Sequence, residues 1–280
     1  MKDNYRQVSL SRFCRLLGVT RQAFYQHFWQ EEFTSIEQNL VLDEVLRIRS
    51  RHRHMGGRKL HELLQPFLLE HQIKMGRDAL FDLLQCNRLL VRRRKRRVYT
   101  TQSFHWLRKY PNRIRDFKPT KINELWVSDI TYWKIKNGYV YISLITDAYS
   151  HKVVGHHVAS SLETIETLQA LKMAVKGLPD NHFGLIHHSD RGIQYCSNEY
   201  VNILHNNSIE ISMTENGDPY ENAIAERVNG ILKQEYLYDY SVQDISQAKL
   251  VLDCAVRLYN DERPHMSCDY RTPTLIHEKH

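Results

Sequence analysis

Trp126-Val127-Ser128-Asp129-Ile130-Thr131-Tyr132-Trp133-Lys134-Ile135 runs through Lys136-Asn137-Gly138 into Tyr139-Val140-Tyr141-Ile142-Ser143-Leu144-Ile145-Thr146-Asp147. Both arms are rich in β-branched and aromatic residues, the composition of strands. Asn137-Gly138 supplies the backbone freedom of a two-residue hairpin turn. The reading is therefore a strand over 126–135, a turn, and a second strand over 139–146. Asp129 stands in the middle of the first strand. A carboxylate among apolar neighbours is costly unless something binds it, which makes Asp129 the first candidate site residue.

Downstream, the polar turn at Tyr149-Ser150 leads to a third strand over His151–Ala159. Ile165, Leu168, Leu171 and Val175 recur at helical spacing within Leu162–Val175, and Gly177 and Pro179 stop that helix. A short strand over Gly184–His188, a helix over Asn198–His205, a strand over Ile209–Met213 and helices at about 219–236 and 245–260 complete the pattern. Three consecutive strands followed by alternating helices and strands make an α/β domain with a mixed sheet.

Upstream the pattern is helical. Leu10, Phe13, Leu16 and Leu17 form one helix, Gly18 breaks it, and Thr20 caps a second helix carrying Ala23, Phe24 and Phe28. Helix, glycine turn, helix is the helix-turn-helix pattern, and Arg21 at the start of its second helix is a candidate DNA contact. A linking helix spans about Ile36–Arg51. A second pair follows, with one stripe through Leu60, Leu63, Leu64, Phe67 and Leu68 and another through Leu80, Phe81 and Leu84 in Arg77–Cys86. A plain helical bundle is the alternative for either pair. Then come Arg92-Arg93-Arg94-Lys95-Arg96-Arg97, whose mutual repulsion keeps them out of a core and suits a phosphate-tracking linker. The expected domains are 1–50, the first helix pair and linking helix; 51–98, the second pair; 99–118, a basic tether with interleaved aromatics (Tyr99, Phe104, Trp106, Tyr110); 119–240, the α/β core; and 241–280, the C-terminal helix and tail.

The charge follows the same division. The chain of 280 residues has a formal charge of +7, but residues 1–118 hold 25 Lys+Arg against 11 Asp+Glu, and residues 119–280 hold 14 against 21. A basic half suits phosphate neutralisation and salt-sensitive binding, and an acidic half suits divalent cations. The bland alternative is charge kept for solubility. No run approaches the roughly 18 apolar residues of a membrane span, and no apolar stretch follows Met1 as in a secretory signal. The five cysteines are scattered and never form a CxxC pair. They point to a reducing, cytoplasmic setting and away from a thiolate zinc site.

Two further carboxylates join Asp129. Asp190 directly follows the strand ending Ile186-His187-His188, and ligands in α/β sheets gather beyond the carboxyl ends of strands. Glu226 lies on a helix whose start is marked by Asp218, Pro219 and Glu221. Asn222, Glu226, Asn229 or Gly230, and Lys233 share its polar face, while Tyr220, Ala223, Ile224, Ile231 and Leu232 can face the core. Three converging carboxylates repel one another unless cations lie between them. Oxygen ligands without Cys or His imply Mg²⁺ or Mn²⁺. Spacing alone leaves three ordinary surface carboxylates as an equal reading, and Asp147, which also ends a strand, is a credible intruder.

The motifs Trp126-x-x-Asp129-Ile130-Thr131-Tyr132, His188-Ser189-Asp190-Arg191-Gly192-x-Gln194-Tyr195 and Asn222-Ala223-x-x-Glu226-Arg227, with Lys233-x-Glu235 beyond, resemble the catalytic subunit of bacterial insertion-sequence transposases. Within that class the chain resembles the IS-three family, with two overlapping reading frames, of which it would be the second-frame product. The 35 residues between Asp190 and Glu226 match that family's spacing, and Tyr259-Asn260-x-x-Arg263-Pro264-His265 with Thr272-Pro273 match its C-terminal motif. The resemblance covers nearly the whole chain. It implies an RNase H-like, retroviral-integrase-type core after an all-α region. Asp129, Asp190 and Glu226 become metal ligands for two Mg²⁺, with Mn²⁺ a substitute. Lys233 would contact transposon-end DNA, and Asn222 and Arg227 would position DNA or the preceding loop. Ile193, Glu221, Cys268 and Asp269 depart from the pattern, the last two where leucine and glycine are usual, which concerns tail packing and not chemistry. The family's integrase relatives can carry a zinc-binding His/Cys domain; the isolated cysteines here predict none.

The resemblance implies cleavage at terminal inverted repeats to free a 3′-hydroxyl, then attack of that hydroxyl on target DNA, with no covalent protein–DNA intermediate. It further implies a homo-oligomer on double-stranded DNA at the bacterial nucleoid, no membrane partner, and a first-frame DNA-binding partner or frameshift fusion. The rivals are a non-enzymatic DNA-binding protein and a ribonuclease of the same fold.

Overall fold

The computed structural model describes residues 9–91, 106–179, 182–215 and 222–278, with side chains 27–35 left aside. Its centre is the expected hairpin, but the turn falls on Lys136-Asn137 rather than Asn137-Gly138, with Gly138 already in the second strand. β1 (Leu125–Ile135) and β2 (Gly138–Asp147) pair antiparallel, with Ile135 opposite Gly138 and Asp129 opposite Leu144. Gly138 takes φ +127°, which an L side chain rarely adopts. β3 (Val153–Ala159) extends the meander on one side. β4 (Ile186–Ser189) and β5 (Glu210–Met213) add in parallel on the other, for the order β3-β2-β1-β4-β5.

Alternation along β1 sends Trp126 to one face and Trp133 to the other, and both are buried. On the Trp126 face, α5 (Thr164–Lys176) and α6 (Asn198–Asn206) build a core with Ile145, Leu171, Tyr200 and Met213. On the Trp133 face, α7 (Ala223–Ile231), a π-helical turn (Leu232–Leu237) and α8 (Ile245–Asp261) build the other with Ile142, Leu144, Val228 and Leu252. The amphipathic reading of α5 misplaces Ile165, which is 61% exposed; Thr167, Ala170 and Ala174 are buried instead, small residues that admit close approach to β3. A 3₁₀ turn (Met266–Cys268) and α9 (Pro273–Glu278) end the described chain.

The N-terminal helices depart from expectation in one respect. α1 (Leu10–Leu16) starts at Ser9, and Thr20 caps the next helix, its Oγ1 accepting the Ala23 N–H at 3.0 Å. That helix, α2, then runs unbroken from Arg21 to Arg51. The expected second helix and linking helix are one element, because no Gly or Pro interrupts residues 21–51. Leu16 and Leu17 are exposed rather than core-facing, and Cys14 is buried in their place; Phe28 lies outside the described side chains. Val41 and Val45 of α2 share one core with Leu60, Leu64 and Leu68 of α3 (Gly57–Glu70) and Leu80 and Leu84 of α4 (Arg77–Cys86). Thus α2 and its packing cross residue 50, where the sequence reading divides two domains.

The run Arg92–Arg97 and the aromatics Tyr99 and Phe104 lie outside the described residues, as do Asp218, Pro219, Tyr220 and Glu221. The described part of the tether does not hang free. Asn112 donates its backbone N–H to Glu215 and Arg113 to Ser212 Oγ, at 3.1 and 2.9 Å, so this segment lies along β5. No helix among the described residues is long and apolar enough to cross a membrane.

Candidate active site

Strand register brings the first two carboxylates together. Val127 pairs with His188 across the parallel β1–β4 ladder. Asp129 lies two residues further along β1, and Asp190 follows the end of β4, close enough for its charge to act on the Asp129 carboxyl. Beyond β4 the Gly192 N–H donates to Asp190 Oδ1 at 2.9 Å, and a Cβ on Gly192 would meet that same oxygen at 2.9 Å. Glycine is thus required for the turn to fold back onto the carboxylate.

The third carboxylate comes from α7. Its polar face lies against β1 and is held at three points. Asn222 Nδ2 donates to the Ser128 carbonyl at 2.9 Å, Asn229 Nδ2 to Asp129 Oδ2 at 2.7 Å, and Lys233 Nζ to Thr131 Oγ1 at 2.6 Å. The Lys233 ammonium also sits over the Tyr132 ring, 4.5 Å from its centroid. Glu226 is on this face in the first turn of α7 and is exposed. Of the helix residues expected in the core, Ala223 is exposed instead, while Ile231 and Leu232 are buried. The ladder switches from α to π geometry at Leu232, just before Lys233. Such insertions recur at functional sites because they re-aim side chains.

The electrostatics follow from this convergence. Burial, then the charge of Asp190, pushes the Asp129 carboxyl up to about 7; Glu226 adds to the rise, and the Asn229 hydrogen bond opposes it. Burial also lowers Lys233 from the usual lysine value, against the pull of Asp129. The oxygens of the three carboxylates do not all lie within 4.8 Å of one another; among the described residues, the metal-type donors that do are His151, His265 and Cys268.

Beneath the carboxylates lies a layer the sequence reading did not assign. Tyr195 is buried, and its hydroxyl has no hydrogen-bond partner. Burial, then Tyr200 and the charges of Asp190 and Asp129, raise it well above the ordinary tyrosine range. Burial, reinforced by His188, lowers His187 to about 3, so it is neutral; Ser128 Oγ and Tyr200 OH meet its Nε2 at 2.7 and 3.0 Å. These groups tie β4 to β1 and α6. Of these four, only Tyr195 is a specified residue of the motifs, and the burial that joins it to Ser128, His187 and Tyr200 is non-local.

Asp147 is resolved as a structural residue. It is fully buried and accepts the Asn123 N–H at 2.8 Å and both the N–H and Oγ–H of Ser150, at 2.8 and 2.7 Å. It caps the β2–β3 turn. The C-terminal motif also has packing work. The Asn260 side-chain amide pairs with both backbone groups of Val153, Tyr259 OH donates to the His151 carbonyl, and Arg263 clasps Glu235 through two bonds of 2.8 Å. Asp269, where the resemblance expects glycine, has φ 51°, a conformation Asp tolerates better than most side chains. Among the expected DNA contacts, Arg227 is exposed on α7, Arg21 is exposed at the start of α2, and Arg92–Arg97 lie outside the described residues.

Models of the integrase core domain match residues 119–219 and 207–273. The insertion element IS600 31 kDa protein of Shigella sonnei is 32% identical over 271 residues, covering 95% of this chain and 98% of its own length. The transposase for insertion sequence element IS629 of Shigella sonnei is 32% identical over 212 residues, covering 76% of this chain and 70% of its own. Among solved structures, the HTLV-2 integrase catalytic core domain in complex with magnesium is 21% identical, with a TM-score of 0.46, covering 57% of this chain and 99% of that one. A relative matched along nearly its entire length, a transposase matched over more than two thirds, and integrase core models across the mixed-sheet domain lead to one conclusion: this chain belongs to the insertion-sequence transposases, enzymes with an integrase core domain that cut and join DNA strands in transposition.

Proposed function

We propose that Asp129, Asp190 and Glu226 form the catalytic centre of this transposase and hold two divalent cations, Mg²⁺ or, as a substitute, Mn²⁺. The carrying observation is the Asp129 carboxyl, which burial and two neighbouring carboxylates push up to about 7. Such a cluster repels itself as it stands and is relieved by cations. Its donors suit hard ions: three carboxylates, with the buried Oδ1 atoms of Asn222 and Asn229 nearby and unpartnered. When bound, the metals supply Lewis-acid activation of the attacking water or hydroxyl and stabilisation of the leaving oxygen.

The chain's own groups do the positioning. Asn229 fixes Asp129 Oδ2, and the Gly192 N–H fixes Asp190 Oδ1. Lys233, seated on Thr131 and Tyr132, holds a positive charge beside Asp129 that suits a DNA phosphate. Asn222 anchors the start of α7 to β1 and so sets where Glu226 stands. The substrates are the terminal inverted repeats of a mobile element and target DNA, bound as duplexes by the basic helical half, including Arg21 and Arg92–Arg97. The working form is a homo-oligomer on DNA in the bacterial cytoplasm, at the nucleoid, with a first-frame DNA-binding product as partner or fused by frameshifting.

Strand-transfer assays on labelled element ends with Mg²⁺, with and without the first-frame product, test this. Asp129→Asn is expected to abolish cleavage and joining while leaving end binding within a few-fold. Ordinary strand transfer by that variant would refute the assignment.

A further inference from the structure

Beside the carboxylates is a second, positively charged recess. A cavity of about 260 Å³ is lined by Lys59, Arg227, Arg263, His151 and His265, together with Ala223, Ile224 and Ile231 of α7. The elements that meet there are otherwise separate in sequence: α3 of the helical region, α7 of the core and the Arg263-Pro264-His265 motif. Successive residues on an α-helix are rotated by about 100°. Arg227 therefore turns away from the β1-facing side that carries Glu226, and enters the recess next door.

Lys59 and Arg263 share one carboxylate, Glu235, at 3.1 Å and 2.8 Å. With Arg227 the recess gathers three basic side chains against one carboxylate, and burial, then Arg263, lowers Lys59 from the usual lysine value. His265 is 7% exposed, and its Nδ1 is buried without a hydrogen-bond partner. Burial, then His151 and the cations Arg263, Lys59 and Arg227, hold this imidazole neutral, lowered to about 3. A neutral imidazole can donate one N–H. The same positive field disfavours a metal ion on His151, His265 and Cys268, close as their donor atoms are, and favours an anion.

We propose that this recess grips a backbone phosphate of the DNA strand flanking the bond cut at Asp129, Asp190 and Glu226. Arg227 and Lys59 supply the charge, and His265 the directional hydrogen bond. The proposal deepens the transposase reading and rests on it. It adds that the phosphate seat is complete only when α3 is docked on the core, so engagement of the helical region and seating of the strand are one event.

The test uses the full chain and a short fluorescent duplex of arbitrary sequence, in EDTA, over a range of NaCl concentrations. Arg227→Gln and Lys59→Gln are each expected to weaken binding several-fold and to lower the log–log salt slope by up to about 0.9, the value for one phosphate. Lys172→Gln, an exposed lysine on α5 of the opposite face, should change neither. Because both cations serve one phosphate, the double variant should lose less affinity than the product of the single losses. Unchanged salt slopes in both single variants, or losses that multiply in the double variant, overturn the shared seat. So would stabilisation by inorganic phosphate that Arg227→Gln removes without altering DNA affinity, which would mark a free-anion site. Arg227 is exposed, so its replacement does not endanger the fold. Binding is read without divalent cations, so a failed carboxylate assignment, seen separately in Asp129→Asn cleavage, leaves this result intact.

Discussion

Asp129 titrates in the folded chain at about 7, against about 3.9 for an unfolded aspartate. Between those values the folded state keeps a proton that the unfolded state releases. Stability without metal is therefore greatest below about pH 4 as far as this group is concerned, falls as pH rises through 7, and is level above. Divalent cations favour the ionised carboxyl, so their stabilising effect should grow over the same window. Thermal melts from pH 5 to 8, in EDTA and in Mg²⁺, measure both trends, and Asp129→Asn should flatten each of them. Equal pH slopes in the two proteins would mean that Asp129 is not the titrating group. Single residues also mark where sequence reasoning stopped. Asp129 and Asp147 both sit on strands beside apolar neighbours. Only the three hydrogen bonds that cap the turn at Asp147, against the two carboxylates that face Asp129, separate the roles.

Strands and helices of the core were legible because their signals are local. The hairpin turns one residue earlier than Asn137-Gly138 suggests, at Lys136-Asn137, so that Gly138 already pairs with Ile135; the β1–β4 ladder then runs β4 alongside β1 as far as Val127 and His188. α2 shows the limit: apolar periodicity suggests two helices, but without Gly or Pro nothing breaks the hydrogen-bond ladder. The π-helical turn was invisible as well, since its stretch Leu232–Leu237 has ordinary helical composition. Gly155 on β3 is a local residue with a non-local reason. A Cβ there would stand 2.2 Å from the Ala170 carbonyl oxygen and 3.0 Å from Ala174 Cβ of α5. Gly155→Ala should cost at least about 1–3 kcal/mol through overpacking between helix and sheet. Urea denaturation checks this, and a variant as stable as the parent would show that α5 is free to shift.

Across the molecule, Glu235 joins three parts. It accepts from Arg263, whose side chain is 2% exposed, and from Lys59 of α3. Burial alone would raise its carboxyl, yet the hydrogen bonds and charge of Arg263, with Lys59, hold it below the usual range. Glu235→Ala strands a buried guanidinium and should destabilise the chain by about 3–5 kcal/mol. The outer pairs at this junction, Arg51 with Glu262 and His54 with Asp239, are partly exposed. Each should contribute no more than about 1 kcal/mol. Denaturation of Glu235→Ala beside Glu262→Ala ranks them, and equal, small losses would remove Glu235 from the centre of the junction.

Taken by itself, the sequence determined the strand-rich core, the helical region before it, the division of charge, and the motifs that carry Asp129, Asp190 and Glu226. Each of these is written in neighbouring residues, in period, turn chemistry and spacing. Tertiary structure alone decided that the polar face of α7 lies on β1, that Asp147 is a turn cap, and that the tether follows β5. It also decided that Lys59, Arg227, Arg263 and His265 share one recess. Those arrangements depend on which faces are buried together, and residues 168 positions apart, such as Lys59 and Arg227, become neighbours only when burial and charge pairing settle how the elements pack.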